Sequence, residues 1–501
     1  MPDEGFQPTT APIHVAHAPT ARRTLVLAAC LMGTFMAAVE SSIVATAMPT
    51  IVADLGGFNL FSWVFAVYLL TQAVSIPVYG RLADVYGRKR VFCVGAGLFL
   101  VGSTLCGLSR NMLMLILFRA LQGFGAGGVQ PIATTILGDI YSPTERAHIQ
   151  GVVSSVFGVS AVLGPTLGAF LVEQVSWQFV FWVNLPIGVA AIAMIAVFLT
   201  EPTELRPRRI DYRGSVLLML AITALMIVLV QGGSMSHAAA ATVGGIALLL
   251  FVTLGVHEAG VSEPMLPLEL WRHHRVIVVG SVGGAVISAV MTGVSAFLPT
   301  YVQGPIGGSA LAGGLVLGTM SVTWAFASFF GGRLMVRTTY RLTAVLGTLS
   351  LVIGTFVLVL LTPERGVVWA STGSLLMGIG MGLCNTTFIV SVQAAVPWHQ
   401  RGAATSSVMF LRFVGQSMGA ASFGAVLNFT LLRQLPGSDH LVDELLDPAE
   451  RGGLPKAELS RLVDVLASGL HNTYVLACML SVVALALALL LPARLSPTRQ
   501  T

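Results

Sequence analysis

Charge is what this sequence has least of. Asp, Glu, Lys and Arg make up 10% of its 501 residues, where a water-soluble domain carries about 25%. A soluble chain of this length would need more charge to cover its surface, so the shortage implies a surface that faces lipid. Cysteine is also scarce. The five present (Cys30, Cys93, Cys106, Cys384 and Cys478) all lie in apolar runs with no CxxC spacing. That pattern excludes a zinc or redox motif and leaves them as packing residues. No GxxxxGKS or GxxxxGKT occurs, so a P-loop does not supply energy, and neither a cofactor nor a metal is expected. Residues 1–21 hold no Lys or Arg, and the apolar run after Arg22 and Arg23 is too long for a signal-peptide core. A retained membrane helix is expected there. The net charge of +5 does not point to nucleic acid, because the basic residues sit in short loops between apolar runs.

A membrane-spanning helix needs about 20 mainly apolar residues. Such runs occur near 25–48, 60–79, 91–109, 112–137, 149–172 and 178–200, then near 214–231 and 239–256. Six more lie near 276–302, 309–331, 342–361, 367–396, 402–432 and 471–493. The expected organisation is a cytoplasmic tail (1–24), a six-helix bundle (25–200), a two-helix insert with flanking cytoplasmic loops (201–275), a second six-helix bundle (276–493) with an outer loop at 433–470, and a short cytoplasmic tail (494–501). With the N-terminus inside, 19 of the 27 Lys and Arg fall in inner loops. Basic residues favour the cytoplasmic side, which supports an even helix number and both termini inside. Within 433–470, Leu459, Leu462, Val463, Leu466 and Leu470 recur at helical spacing, which predicts an amphipathic helix on the outer face.

An internal repeat is visible. GRL at 80–82 returns at 332–334, GFGAGG at 123–128 is echoed by GIGMGL at 378–383, and Glu145-Arg146 by Gln400-Arg401. The near-constant offsets of 252, 255 and 255 residues indicate that the two six-helix groups descend from one unit. Parallel halves of this kind are a standard transporter plan, with the substrate site between them.

The segment GRLADVYGRKR (80–90) links the second and third runs. Gly80 and Gly87 permit a close approach and a tight turn, Asp84 can meet a helix N-terminus or an arginine, and Arg88, Lys89 and Arg90 can anchor the loop to the inner leaflet. Its full spacing resembles the cytoplasmic loop signature of the major facilitator superfamily. RALQGFGAGG (119–128) resembles that superfamily's fourth-helix motif, with Arg119 in the matching place, and GVSAVLGPTLGA (158–169) resembles the fifth-helix signature of its antiporters. VESSIVATAMPTI (39–51) and WQFVFWVNLPIG (177–188) resemble first- and sixth-helix signatures of the fourteen-helix drug/proton antiporter branch. The chain departs from those patterns in having Ala169 for a second glycine, Glu40 for an aspartate and Gln178 for an arginine. The resemblance implies an all-α major facilitator fold of two six-helix bundles plus two additional helices. It also implies drug/proton antiport and a coupling role for Arg119.

Glu40 is the single acidic residue well inside an apolar run; Asp54 and Glu173 sit at outer helix ends. An ionisable group there is costly and marks function by default. Burial favours its neutral form, so it could take a proton and release it when a cation or water arrives. The structural alternative is a partner for Arg119 or for Ser41 and Ser42. Arg412 would either contact an anionic substrate or tie helices together. Gly158, Gly164, Pro165 and Gly168 would let one helix approach another closely and bend at Pro165, either as a hinge or as ordinary packing. Trp63, Tyr68, Gln72, Trp182, Asn184, Tyr301, Gln303, Trp324, Asn385 and Gln416 are candidates for a cavity wall or for interfacial and interhelical contacts.

These readings converge on a multi-pass inner-membrane exporter, not an enzyme, that moves hydrophobic or cationic small molecules outward in exchange for protons flowing inward down their gradient. Its expected partners are those substrates, protons and the lipid bilayer, with no nucleic acid, and it is expected to act as a monomer. The alternative is a uniporter or symporter for one specific metabolite.

Overall fold

A computed structural model of the chain describes residues 20–141, 143–200, 211–231, 235–261, 271, 275–396, 401–434, 445 and 455–492. Those residues are helical nearly throughout. The helices are α1 (Thr20–Leu55), α2 (Phe61–Tyr86), α3 (Arg88–Gly107), α4 (Met112–Ile140), α5 (Pro143–Gln174), α6 (Phe179–Trp182), α7 (Asn184–Phe198), α8 (Tyr212–Gln231) and α9 (His237–Gly260). They continue with α10 (Arg275–Gln303), α11 (Ala310–Arg337), α12 (Tyr340–Val359), α13 (Gly366–Ala394), α14 (Arg401–Gln434) and α15 (Lys456–Leu489).

Local chemistry sets several boundaries. The side chains of Asn111, Ser236, Ser309 and Thr339 each accept a hydrogen bond from a first-turn amide of α4, α9, α11 and α12, satisfying donors that have no partner inside the helix. Between α2 and α3 a single residue makes the turn. Gly87 takes φ 88°, a conformation that a side chain would strain.

Among the described residues, twelve helices are long and apolar enough to cross a membrane. Two of the apolar runs read from the sequence, 149–172 and 402–432, fall in α5 and α14, helices of 32 and 34 residues that lie outside that twelve. Large apolar side chains stand on the outer surface, with Val368 80% exposed. Lipid, unlike water, solvates such a surface at no cost.

Three expectations need correction. The segment read as an amphipathic helix on the outer face is the first part of α15, one unbroken helix from Lys456 to Leu489. Leu462, Leu466 and Leu470 are buried in the core that α15 continues, so their spacing encodes packing against neighbouring helices and not an interfacial face. The eighth run also extends further than hydropathy suggests. α9 carries His257 and Glu258 in its last turn, where Glu258 is buried and His257 Nε2 lies 2.8 Å from Asp211 Oδ1. That contact fastens the ends of α8 and α9 together. Thirdly, Arg88 is not simply a lipid anchor: its Nε lies 3.0 Å from Asp139 Oδ2 and ties the start of α3 to the end of α4.

The repeat seen in the sequence is a repeat of contacts. A Cβ added at Gly123 would run into the Tyr68 carbonyl and the Thr71 hydroxyl; at Gly378 it would meet the Met320 carbonyl and the Thr323 hydroxyl. Gly125 faces the Phe99 amide and the Gly95 carbonyl, as Gly380 faces Leu351 and Gly347. These pairs keep the same offsets of 252 and 255 residues. Likewise Gly164 and Gly168 of α5 approach the Val39 and Ile43 carbonyls of α1, while Gly415 and Gly419 of α14 approach those of Ala285 and Ala289 in α10.

Described contacts between the two repeated groups gather toward the end remote from the 80–90 loop. Phe61 stacks on Phe297 with ring centroids 4.9 Å apart. Asn428 Nδ2 donates to the Asn59 carbonyl at 2.7 Å, and Ser417 Oγ to the Ala66 carbonyl at 2.7 Å. The Leu311 amide, at the start of α11, donates to Glu173 Oε1 at 2.8 Å.

Candidate functional site

Four helices of the first group bring their buried polar side chains to one point. Glu40 lies midway along α1, and Arg119 lies two turns into α4; both are 0% exposed. Arg119 Nη1 donates to Glu40 Oε1 at 2.5 Å and also to Gln122 Oε1 at 2.7 Å. Its Nε donates to the Val64 carbonyl of α2 at 3.2 Å, and its guanidinium carbon lies 4.0 Å from the centre of the Tyr68 ring. The second carboxylate oxygen of Glu40 accepts from Asn184 Nδ2 at 2.7 Å. Ser103 of α3 closes the network, receiving Gln122 Nε2 at 3.1 Å and Asn184 Nδ2 at 3.2 Å while donating to the Phe181 carbonyl at 2.8 Å.

Local sequence explains how these groups arrive. Arg119 and Gln122 are three residues apart on α4 and therefore share a face. Asn184 opens α7 after the break at Val183. Pro186 follows in the first turn, where its missing amide removes no helical hydrogen bond. Gly164 and Gly168 bring α5 against the stretch of α1 that carries Glu40, with Ser42 Oγ directed back to the Val39 carbonyl at 3.0 Å.

A carboxylate and a guanidinium taken out of water are tolerable only when paired and hydrogen-bonded on their remaining atoms. Here both oxygens of Glu40 are engaged, and Arg119 has three polar partners and an aromatic face. Chemically this is a paired unit in which one proton added to Glu40 would leave Arg119 as an uncompensated cation.

Among the described residues the network belongs to one group only. The repeat offsets place Val286, Ser374 and Met377 where Glu40, Arg119 and Gln122 stand. Ser374 Oγ bonds the Val316 carbonyl, the counterpart of the Val64 carbonyl that Arg119 bonds. The fold keeps that helix tie and dispenses with the charge.

Of the residues singled out by sequence, the structure joins Glu40, Arg119, Tyr68 and Asn184. Gln72 is buried on α2, with its main chain against Gly127, and Arg412 pairs with Asn385 of α13 at 3.1 Å. A Cβ at Gly80 would meet nothing within 4 Å, so close packing does not explain glycine there. Pro165 presents its carbonyl to Gly314 of α11, where the two groups meet. Trp182 bonds the Thr104 carbonyl at 3.3 Å and Gln303 the Thr46 carbonyl at 3.4 Å, which makes both interhelical ties, while Tyr301 bonds the Leu361 carbonyl at 3.1 Å in the turn after α12. The side chains of Ser41 and Asp84 lie outside the described residues, as do Gly158 and Glu145-Arg146 apart from their helical backbone. Sequence reasoning missed Gln122 and Ser103. Gln122 was readable from its spacing to Arg119, whereas nothing local distinguishes Ser103 from other small polar residues in apolar runs.

The family model "Major Facilitator Superfamily" matches residues 30–420. Multidrug resistance protein 3 of Bacillus subtilis (strain 168) is 33% identical over 466 residues, covering 89% of this chain and 91% of the relative. Multidrug transporter protein MdtP of the same organism is 31% identical over 452 residues, covering 90% of this chain and 83% of the relative. Among solved structures, a bacterial homologue of the human lysosomal transporter Spinster, inward-facing and unoccupied, aligns with TM-score 0.66 at 16% identity, over 94% of this chain and 97% of that one. That likeness concerns the fold alone.

Proposed function

The chain belongs to the major facilitator superfamily, a family of membrane transporters, and from that premise we propose that it is a proton-coupled multidrug efflux antiporter for hydrophobic or cationic small molecules. Relatives named a multidrug resistance protein and a multidrug transporter protein support the efflux reading. The observation that carries the coupling is the buried Glu40–Arg119 pair with Asn184 and Gln122 closing around it. In the proposed cycle a proton arriving from outside neutralises Glu40. Arg119 then holds an unbalanced charge at membrane depth, and the α1–α4 contact weakens. Substrate leaves outward, the two helix groups then rock about their seam to open the site inward, and deprotonation there restores the pair for the next substrate. No resident cofactor takes part; the proton gradient supplies the energy.

The proposed topology has fourteen transmembrane helices, the twelve spans together with α5 and α14. Two six-helix groups flank α8 and α9, and both termini are in the cytoplasm of a cell whose inner membrane holds the protein. The bias of Lys and Arg to one set of loops supports it. Arg90 and Lys456 are exposed at opposite expected ends. Single cysteines placed there should be labelled from inside and outside respectively; labelling of both from one side refutes the topology.

Purified protein in liposomes tests the function. An imposed pH gradient should drive uphill accumulation of a lipophilic cationic dye together with counter-movement of protons. Substrate flux that neither moves protons nor responds to the gradient would make the protein a uniporter.

A further inference from the structure

The two intramembrane arginines are in opposite condition. Arg119 is sealed and neutralised by Glu40. Arg412, about three turns into α14, is half-buried, and among the described residues its one hydrogen bond runs from Nη1 to Asn385 Oδ1. No described acidic residue pairs with it, and its other nitrogens are neither bonded to described residues nor sealed off as buried atoms. A guanidinium offers five N–H donors in a planar fork suited to an oxyanion, so most of that capacity is unused. The position is also where the two groups meet. Phe413 packs against the cluster containing Tyr68 and Leu69, while Leu411 and Val414 pack against the other core.

A helix tie alone does not account for an arginine here. The offset relating Gly164 to Gly415 and Gly168 to Gly419 places Ala161 at the equivalent point of α5, so this fold forms that position without a cation. An unpaired charge at membrane depth is expensive and persists where it faces a polar path and serves a ligand.

We infer that Arg412, steadied by Asn385, is an anion-recognising subsite, and that it takes the carboxylate, sulfonate or phosphate group of an amphiphilic organic acid or zwitterion. It would extend the range of transported molecules beyond cations and neutral hydrophobes. The inference rests on the transport reading only in placing the subsite on the path of the substrate, and it is tested by equilibrium binding without any gradient.

The experiment uses the full chain in phosphatidylcholine nanodiscs and three fluorescent probes with one apolar body: pyrenebutyrate, pyrenebutanol and pyrenebutyl-trimethylammonium. Wild type should bind the carboxylate about tenfold tighter than the alcohol, the scale of one charge-assisted hydrogen-bonded contact. Arg412→Gln should bring that ratio to one and leave binding of the alcohol unchanged. Arg412→Lys should keep part of the ratio, and Asn385→Leu, which retains the guanidinium, should keep a preference for the carboxylate. An equal loss for all three probes in Arg412→Gln, or no carboxylate preference in wild type, overturns the proposal. So does loss of the preference when phosphatidylglycerol is added to the nanodiscs, since the site would then belong to a lipid headgroup. Failure of proton coupling would instead show in gradient-driven flux and leave these binding ratios untouched.

Discussion

Replacing Glu40 by Gln keeps the size of the side chain and one hydrogen-bond acceptor while removing the group that exchanges a proton. Two magnitudes follow from the geometry. Removing one partner of a buried ion pair costs about 3–5 kcal/mol, because the other charge is left without compensation. Arg119 still has Gln122, the Val64 carbonyl and the Tyr68 face, and the new amide oxygen can still accept from Nη1. The loss should therefore lie near the lower end, about 3 kcal/mol, and the variant should fold with a lowered thermal midpoint. The functional magnitude is larger. A pH difference of about two units supplies about 2.7 kcal/mol for each proton exchanged, enough for about hundredfold accumulation of substrate. In proteoliposomes under that gradient, wild type should concentrate substrate and Glu40→Gln should only equilibrate it. Counterflow, which needs no proton, should survive in the variant, and Glu40→Asp should keep partial activity because its carboxylate falls about 1.5 Å short of Arg119 and Asn184. Undiminished gradient-driven accumulation by Glu40→Gln would refute the reasoning and move the proton site elsewhere, with Asp54 and Glu173 the next candidates.

Asn184→Ala removes the donor to the second Glu40 oxygen, a bond to a charged group worth about 1.5–3 kcal/mol; thermal denaturation and the accumulation ratio should both fall while counterflow persists, and an unchanged ratio would make Asn184 a packing residue. A side chain at Gly168 meets the Ile43 carbonyl at 2.9 Å, so Gly168→Val should lower stability by about 1–3 kcal/mol through overpacking, whereas Gly80→Ala, facing open space, should leave the melting curve and transport unaltered. Gly87→Leu forces a side chain into positive φ at a cost of about 1–3 kcal/mol, and together with Asp84→Asn it should impair transport without loss of membrane insertion; wild-type rates in both variants would reduce the 80–90 loop to an orientation signal.

The sequence by itself determined the solvent and the repeat. Lipid imposes a requirement on each run separately, about 20 apolar residues with every backbone group satisfied inside the helix, so most spans could be read one at a time. The offset between Gly123 and Gly378 was equally legible, because close helix approach needs glycine at the same register in both groups. Glu40 and Arg119 stood out for the same reason, as charges where charge is costly. Their environment was not legible. That Ser103, Gln122 and Asn184 from three helices close around one carboxylate depends on the rotation of each helix about its axis, which is fixed only when all of them pack together. The buried face of residues 456–470 was ambiguous for a related reason: an amphipathic stripe satisfies either a membrane surface or a neighbouring helix, and the approach of α15 to the core decided for the helix. The unequal fates of the two arginines were likewise a tertiary matter, since one meets a carboxylate across the bundle and the other meets only an amide.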